Sequence, residues 1–244
     1  AGPAQDKSKA ATVEPTVSLE AHRDILKQLR DLKASSAAEA YLEHVALARK
    51  NRFPELLDEL MEHLFQSVLS GKRNASEATL MQQVEEDYER GMFAESFPGH
   101  LALLAQQSAL IVNRLKLAIV LQGSAHLDAE RMLKRIEAEG DDFLRFERAI
   151  LMGKLQQHKD ALTLLALQLH DTNSAEAYCT QSSDVVSPVL AERIYALSEI
   201  SSLKPYASFL TRSRRGARSA SDDDENRKEL LGVLLGVYTS TAQR

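Results

Sequence analysis

The sequence predicts an all-α protein in which antiparallel helix pairs stack into an α-solenoid, and three observations support this fold class. Glycine and proline are scarce, with 10 and 6 residues in a chain of 244. Aromatic residues make up only 5% and tryptophan is absent, whereas strands favour aromatic and β-branched side chains. Apolar residues recur at helical spacing between short polar turns. About ten helices are expected, with a compact helical domain as the alternative.

The elements follow in order along the chain. Residues 1–17 are small, polar and aperiodic, which predicts a disordered leader or tag before a solenoid segment at 18–244. Ser18 is the expected N-cap of the first helix, and Ser36 and Glu39 form a capping box for the second. The polar region 72–98 is predicted as a connection, with a short helix at about 77–88 as the alternative. Caps, prolines and glycines bound further predicted helices at 54–71, 98–121, 124–140, 142–153, 161–169, 173–179, 187–197, 205–210 and through 230–238.

A charged, serine-rich segment at 212–225 interrupts the helical pattern and predicts a flexible loop. Its arginines suit a phosphate group or an acidic partner; the alternative is that they neutralise the acidic residues that follow them. Phosphorylation of its serines would change the charge of the loop. The candidate regulatory or interaction residues are Arg212, Arg214, Arg215, Arg218, Ser219 and Ser221.

Composition and charge argue against several classes of protein. The net charge of −5 is unlike that of a basic nucleic-acid-binding protein. The single cysteine, Cys179, cannot form an intrachain disulfide or a cysteine-based zinc site, and it favours a reducing compartment. The most apolar stretch, 101–121, contains amide and charged side chains, so it predicts a buried helix rather than a membrane span.

No constellation of residues predicts an active site, a metal centre or a cofactor. The triplet His22-Arg23-Asp24 matches the start of a kinase catalytic loop but lacks the asparagine that would hold the metal ion, so it is interpreted as a solvated helix surface. The histidines form no pair at helical spacing. The acidic run at 85–89 is interpreted as a solvated face rather than a general acid/base cluster, and Cys179 as a small buried thiol. The chain is therefore predicted not to be an enzyme.

One stretch carries a more specific signal. Residues 147–179 have the sequence ERAILMGKLQQHKDALTLLALQLHDTNSAEAYC, which resembles the signature of the vacuolar sorting protein 39 and TGF-β-receptor-associated protein family. Weaker matches at 40–45, 113–117 and 229–238 extend the resemblance over residues 36–240. The signature residues are interpreted as architectural, at helix ends and close helix approaches. They are Glu147, Ala149, Leu151, Gly153, Leu155, His158, Ala161, Leu162, Asp171, Ala175, Tyr178 and Cys179.

The resemblance implies a segment of the clathrin-heavy-chain-like helical solenoid, related to TPR arrays, of a Rab-specific subunit of the HOPS or CORVET tethering complexes. It implies a cytoplasmic protein, peripheral on endosomes or on the vacuole or lysosome, whose membrane association is indirect. The expected partners are core subunits of the complex and a Rab GTPase, and no nucleic acid. The family's β-propeller and cysteine-rich end are not found in this sequence. Residues 149–155 favour the CORVET branch, and the fungal HOPS branch stays open.

Two functions are consistent with these expectations. The leading hypothesis is a non-catalytic scaffold that holds a Rab-binding end and a core-binding end at a fixed separation during membrane tethering and vesicular protein transport. A solenoid suits this role because each helix pair contacts its neighbours and leaves long lateral surfaces exposed. The alternative is a direct docking module that binds a Rab GTPase, a core tethering subunit or an organelle-contact partner.

Overall fold

A computed structural model of the chain describes residues 17–49, 52–91, 96–140, 142–181, 183–211 and 220–241. These residues form helices and no strand, which confirms the all-α prediction and fits a solenoid-like fold. The chain divides into two compact units, residues 1–45 and 46–244. The α-helices of the described residues are α1 (Leu19–Asp31), α2 (Ser35–Ala48), α3 (Pro54–Arg73), α4 (Ala75–Glu89), α5 (Phe97–Leu104), α6 (Ala109–Gly123), α7 (Ala129–Ala138), α8 (Arg145–Lys154), α9 (His158–Thr163), α10 (Thr172–Thr180), α11 (Pro188–Ser198), α12 (Lys204–Thr211) and α13 (Ala220–Thr241).

The first unit contains α1 and most of α2. Ser18 caps α1 as predicted, because its hydroxyl accepts the N–H of Ala21 at 3.2 Å. The interpretation of the His22 triplet as a solvated surface is wrong for its first member. The His22 ring is buried, and its Nδ1 lies 2.7 Å from the hydroxyl of Tyr41 on α2. The predicted leader lies outside the described residues except for its last position, so it stays a prediction.

Helix α6 lies at the centre of the second unit. It packs against α3, α5, α8 and α12, and it is buried on nearly all sides from Leu110 to Leu121. A helix with apolar residues on all its faces is expected in such a central position. The close packing extends to the C-terminal end of α6, where a Cβ on Gly123 would overlap the ring of Phe209. Helix α13 packs against α9 and α10 of the same unit.

The long helix predicted over residues 98–121 is wrong, because the chain breaks there into α5, a 3₁₀ turn at Ala105–Gln107, and α6. The cause is Ser108, whose backbone is extended. Its hydroxyl accepts the N–H groups of Leu110 and Ile111 and donates to the Glu77 carboxylate. Apolar periodicity continues across the break because both helices are buried, so the pattern alone did not reveal it.

Several predicted caps lie elsewhere in the structure. Ser124 ends α6 and does not begin α7, whose N-cap is Asp128. Asp142 precedes α8 by a turn, and Leu144 is the N-cap residue. Asp171 caps α10, two residues before the predicted start of this helix at 173. Each observed N-cap lies within a few residues of the predicted one, although Leu144 makes no side-chain capping hydrogen bond.

Two charged regions are more helical than predicted. The connection expected at 72–98 contains the fifteen-residue helix α4, whose N-cap Asn74 accepts the N–H of Ser76 at 3.1 Å. Helix α13 begins at Ala220, so the last part of the segment 212–225 is helical. The rest of that segment, 212–219, lies outside the described residues. None of the helices in the described ranges has the length and apolar content that crossing a bilayer requires.

Candidate functional site

The signature residues collect in the interior of the second unit. Ten of the twelve are buried, while Leu155 and His158 are half-buried. Among them, Glu147 and Asp171 are charged and fully buried. Buried charges are rare unless they are paired or hydrogen-bonded. The partners of these groups therefore define what the signature does.

The first polar cluster joins α6 to α8. Arg114 is 1% exposed and donates two hydrogen bonds to the Glu147 carboxylate. The first joins Nε to Oε1 at 3.0 Å and the second joins Nη2 to Oε2 at 3.1 Å. Its Nη2 also donates to the backbone oxygen of Phe143 at 2.8 Å, and its guanidinium carbon lies 4.5 Å from the centre of the Phe143 ring. Burial opposes the charge on Arg114, but the charge and hydrogen bonds of Glu147 outweigh it and raise the pKa of Arg114. Bidentate geometry makes this a strong and specific helix–helix contact.

Glu85 on α4 adds a second carboxylate to this cluster. Its oxygens lie 3.5 Å from Arg114 and 3.6 Å from Arg145. Burial raises the pKa of Glu85, against the opposing effect of the two arginines. The interpretation of 85–89 as one solvated face is therefore wrong for Glu85. It fits Glu86 and Asp87 better, because their side chains are 45% and 41% exposed and pair with Arg90 at 3.2 and 3.6 Å.

The second cluster is built on Asp171. One carboxylate oxygen accepts the backbone N–H of Phe97 at 2.8 Å, and the other accepts that of Ser174 at 2.9 Å. The hydroxyl of Tyr88 is a third hydrogen-bond partner. Burial raises the pKa of Asp171, and burial together with the nearby carboxylate raises that of Tyr88. The Asp171 side chain thus caps α10, and it also contacts the first residue of α5 and the last turn of α4.

The third cluster surrounds Tyr178. Its hydroxyl lies 2.6 Å from His158 Nδ1, and His158 Nε2 lies 3.1 Å from the Gln156 side-chain oxygen. Because that amide oxygen only accepts, Nε2 carries the proton and Nδ1 accepts from the tyrosine. Gly153 leaves room for the ring, since a Cβ there would lie 2.9 Å from Tyr178 Cε2. A larger residue at 153 would push α8 away from α10.

Cys179 occupies the next position of α10. Its thiol donates to the backbone oxygen of Leu230 at 3.4 Å, which ties α10 to α13. Burial, assisted by the charge of Glu176, raises the pKa of Cys179 to about 11. A thiol in that state is protonated at neutral pH and is a poor nucleophile. The interpretation of Cys179 as a small buried thiol fits this position.

A π-helical turn within the signature helps to place these groups. Helix α9 passes into a π-helix at Leu164–Gln168, in which Leu164, Leu165 and Ala166 are all buried. The chain then turns at His170, whose φ is +53°. Because the π-helical turn is wider, three consecutive apolar residues are buried, and Asp171 follows in a buried position. Such π-turns interrupt α-helices where local geometry has a specific role.

The other candidate residues are placed as follows. The arginines of the charged segment and Ser219 lie outside the described residues, and so does the side chain of Ser221, which belongs to α13. No group of three or more potential metal ligands occurs among the residues that the structure describes. Sequence reasoning missed Arg114, Glu85 and Tyr88 as members of the buried clusters. An arginine inside the most apolar stretch was the available signal for the first of them.

Comparison with known proteins gives partial matches. The chain is 29% identical over 127 residues to the transforming growth factor-beta receptor-associated protein 1 homolog of Danio rerio, an alignment that covers 48% of this chain and 15% of the relative. It is 31% identical over 122 residues to transforming growth factor-beta receptor-associated protein 1 of Bos taurus, covering 45% of this chain and 14% of the relative. No family model matches the chain, and no solved structure matches it significantly. The similarity supports the resemblance over less than half of the sequence.

Proposed function

We propose that this chain is a non-catalytic scaffold segment of a HOPS- or CORVET-type tethering subunit. In this role it acts in membrane tethering between endosomes and the vacuole or lysosome, and in vesicular protein transport. The partial similarity to transforming growth factor-beta receptor-associated protein 1 supports the family. The all-helical fold of the described residues supports a structural role.

The observation that carries the proposal is the use of the signature residues. Glu147, Asp171 and Tyr178 all point inward and join helices to one another through hydrogen bonds. Hydrogen bonds between these residues and neighbouring helices keep the helices at fixed positions relative to one another. A rigid helical segment is what a scaffold needs in order to keep two binding ends at a constant separation.

The proposed setting follows from the same resemblance. The chain works in the cytoplasm on the surface of endosomes or of the vacuole or lysosome, and reaches the membrane through other proteins. Its proposed partners are core subunits of the tethering complex and a Rab GTPase. The proposal needs no cofactor and no chemical step.

A spacer exchange tests this function in the protein that contains the chain. Residues 46–241 are replaced by an unrelated helical-repeat array of similar length, and a second variant lacks them. The scaffold function predicts that the exchange restores co-purification of core subunits and cargo delivery to the lysosome, while the deletion loses both. If the intact protein co-purifies with no tethering subunit, the proposal is wrong.

The alternative, a direct docking module, is favoured by one observation on α13. Leu231, Leu235 and Tyr238 follow one another at helical spacing and are 40%, 64% and 37% exposed. Exposed apolar stripes mark protein interfaces more often than scattered apolar residues do. In the exchange experiment, failure of the spacer array together with direct binding of the isolated chain to a core subunit or a Rab would identify a docking module. Leu235→Glu should then weaken that binding.

A further inference from the structure

A groove lies between α3 and α7 and is separate from the buried signature clusters. It has a volume of about 280 Å³ and is lined by both apolar and charged side chains. Its apolar lining consists of Met61, Met132 and the half-buried Leu127. Methionine side chains adapt their shape to whatever packs on them. The groove is large enough for one or two side chains of another molecule.

Most charges around this groove are already balanced. Arg135 donates two hydrogen bonds to Glu62 and stacks on Phe65, with its guanidinium carbon 4.7 Å from the ring centre. Those hydrogen bonds lower the pKa of Glu62, with a further contribution from the charge of Arg131. The carboxylate of Asp128 accepts the backbone N–H of Arg131 at 3.0 Å, as the cap of α7. These groups have roles within the fold.

Asp58 is an exposed carboxylate at the rim of the groove. It makes no hydrogen bond and no ion pair with any residue in the part of the chain that the structure describes. Its neighbours are Glu55, which repels it, and His126, which attracts it only when protonated. Burial, with the added repulsion of Glu55, raises the pKa of Asp58. A cation placed beside Asp58 would complement a charge that the fold leaves uncompensated.

We propose that the α3–α7 groove is a docking site for a segment of a partner protein in which an apolar side chain is followed by lysine or arginine. The apolar side chain packs on Met61, Leu127 and Met132, and the cationic group pairs with Asp58. Charge complementarity selects this occupant over an acidic segment, because Glu55 adds negative charge beside Asp58, whereas the cations Arg131 and Arg135 lie beside Glu62. The site is independent of the tethering function and stands or falls separately from it.

Nuclear magnetic resonance of methionine methyl groups tests the site on the full chain. The chain has five methionines; two line the groove, and Met81 and Met152 are buried outside it and serve as internal controls. The probes are two capped tetrapeptides, acetyl-Ala-Leu-Lys-Ala-amide and acetyl-Ala-Leu-Glu-Ala-amide. We expect the lysine peptide to shift the methyl signals of Met61 and Met132 in a saturable way, and the glutamate peptide to leave them unchanged.

Two variants connect the binding to the rim charge. Asp58→Asn should lower the affinity for the lysine peptide by about two- to five-fold, which is the effect of losing one exposed charge pair. Asp160→Asn removes an exposed carboxylate from α9 and should not change the affinity. Equal binding of both peptides, binding of neither, or an unchanged affinity in Asp58→Asn would overturn the proposal. Methyl shifts that depend on protein concentration alone would overturn it too, by assigning the groove to a second copy of the chain.

Discussion

The signature region and the C-terminal half of α13 distribute polar and apolar side chains in opposite ways. In the signature region, Glu147, Asp171 and Tyr178 are fully buried and hydrogen-bonded. In α13, Leu231 and Leu235 face outward. The first region therefore holds the fold together, whereas the second offers apolar surface. The pattern at 147–179 thus reports on the architecture, whereas α13 carries exposed apolar side chains.

The largest effect of a substitution is expected at Arg114, which pairs with Glu147 of the buried signature region. Arg114→Met leaves Glu147 buried without its partner, and should lower the free energy of unfolding by about 3–5 kcal/mol. The double variant Arg114→Met, Glu147→Leu should recover much of that loss, because it removes both charges. Urea unfolding followed by circular dichroism measures all of these values. Equal instability of the single and double variants would show that the pair is not the cause.

The exposed ion pairs supply the control for that experiment. Arg90 pairs with Glu86 and Asp87, but its side chain is 62% exposed. Exposed pairs contribute little because water competes for both charges. Arg90→Met should therefore leave the unfolding curve almost unchanged, and a loss comparable to that of Arg114→Met would contradict the distinction between the buried and the exposed pairs.

Glycine substitutions test the difference between the signature region and α13 through a smaller effect on stability. In Gly153→Ala the new methyl group would lie 2.9 Å from the Tyr178 ring and 3.3 Å from the backbone oxygen of Ser183. Overpacking of this kind should destabilise the chain by about 1–3 kcal/mol. Gly232→Ala on α13 is the matched control, since a Cβ there meets nothing within 4 Å. Alanine should stabilise that helix by about 0.5–1 kcal/mol.

Thermal unfolding of the two glycine variants decides the matter. Opposite shifts of the melting temperature, downward for residue 153 and upward for residue 232, are expected. Shifts of the same sign would mean that the outer face of α13 is as closely packed as the interior of the signature region, and the comparison would fail.

Much of the fold was predictable because local signals agree with tertiary packing. Ser18, Pro54 and the Ser187–Pro188 pair begin helices where the sequence places them. The break at Ser108 was not predictable from periodicity, since apolar residues continue on both sides of it. The region of α4 was interpreted mainly as a connection, because this helix carries few apolar residues and only its Met81 and Val84 are buried.

The clusters and the groove depend on distances in space that spacing along the chain does not contain. Arg114 and Glu147 are separated by 33 residues, and Glu62 and Arg135 by 73. The signature identified Glu147 but not its partner. A run of acidic residues likewise gave no reason to separate Glu85, which faces inward, from Glu86, which faces water. Only the packing of α4 against the neighbouring helices distinguishes them.

A single hydroxyl group provides the next, smaller effect. Tyr178→Phe removes the donor to His158 while it keeps the ring that packs on Gly153, and should cost about 0.5–1.5 kcal/mol. Tyr195→Phe on α11 is the control, because the Tyr195 hydroxyl has no hydrogen-bond partner among the described side chains and backbone groups. Equal losses in urea unfolding would argue that the hydroxyl of Tyr178 has no special role.

The smallest effect concerns pH and Glu85. Burial raises the pKa of this carboxyl above its ordinary value of 4.5, so the folded chain holds the proton more tightly than the unfolded chain does. Folding is therefore favoured at low pH by this group, and its contribution is lost as the pH rises from about 4.5 through the raised pKa of the folded state. Glu85→Gln removes this dependence.

The free energy of unfolding of the wild type and of Glu85→Gln should accordingly diverge as the pH rises, in favour of the glutamine variant. Glu86→Gln removes a negative charge from the exposed side of the same helix and controls for the change in net charge. Urea unfolding at a series of pH values measures the three curves. A difference that moves in favour of the wild type with rising pH would mean that Arg114 and Arg145 outweigh burial, and that the cluster stabilises the ionised carboxylate.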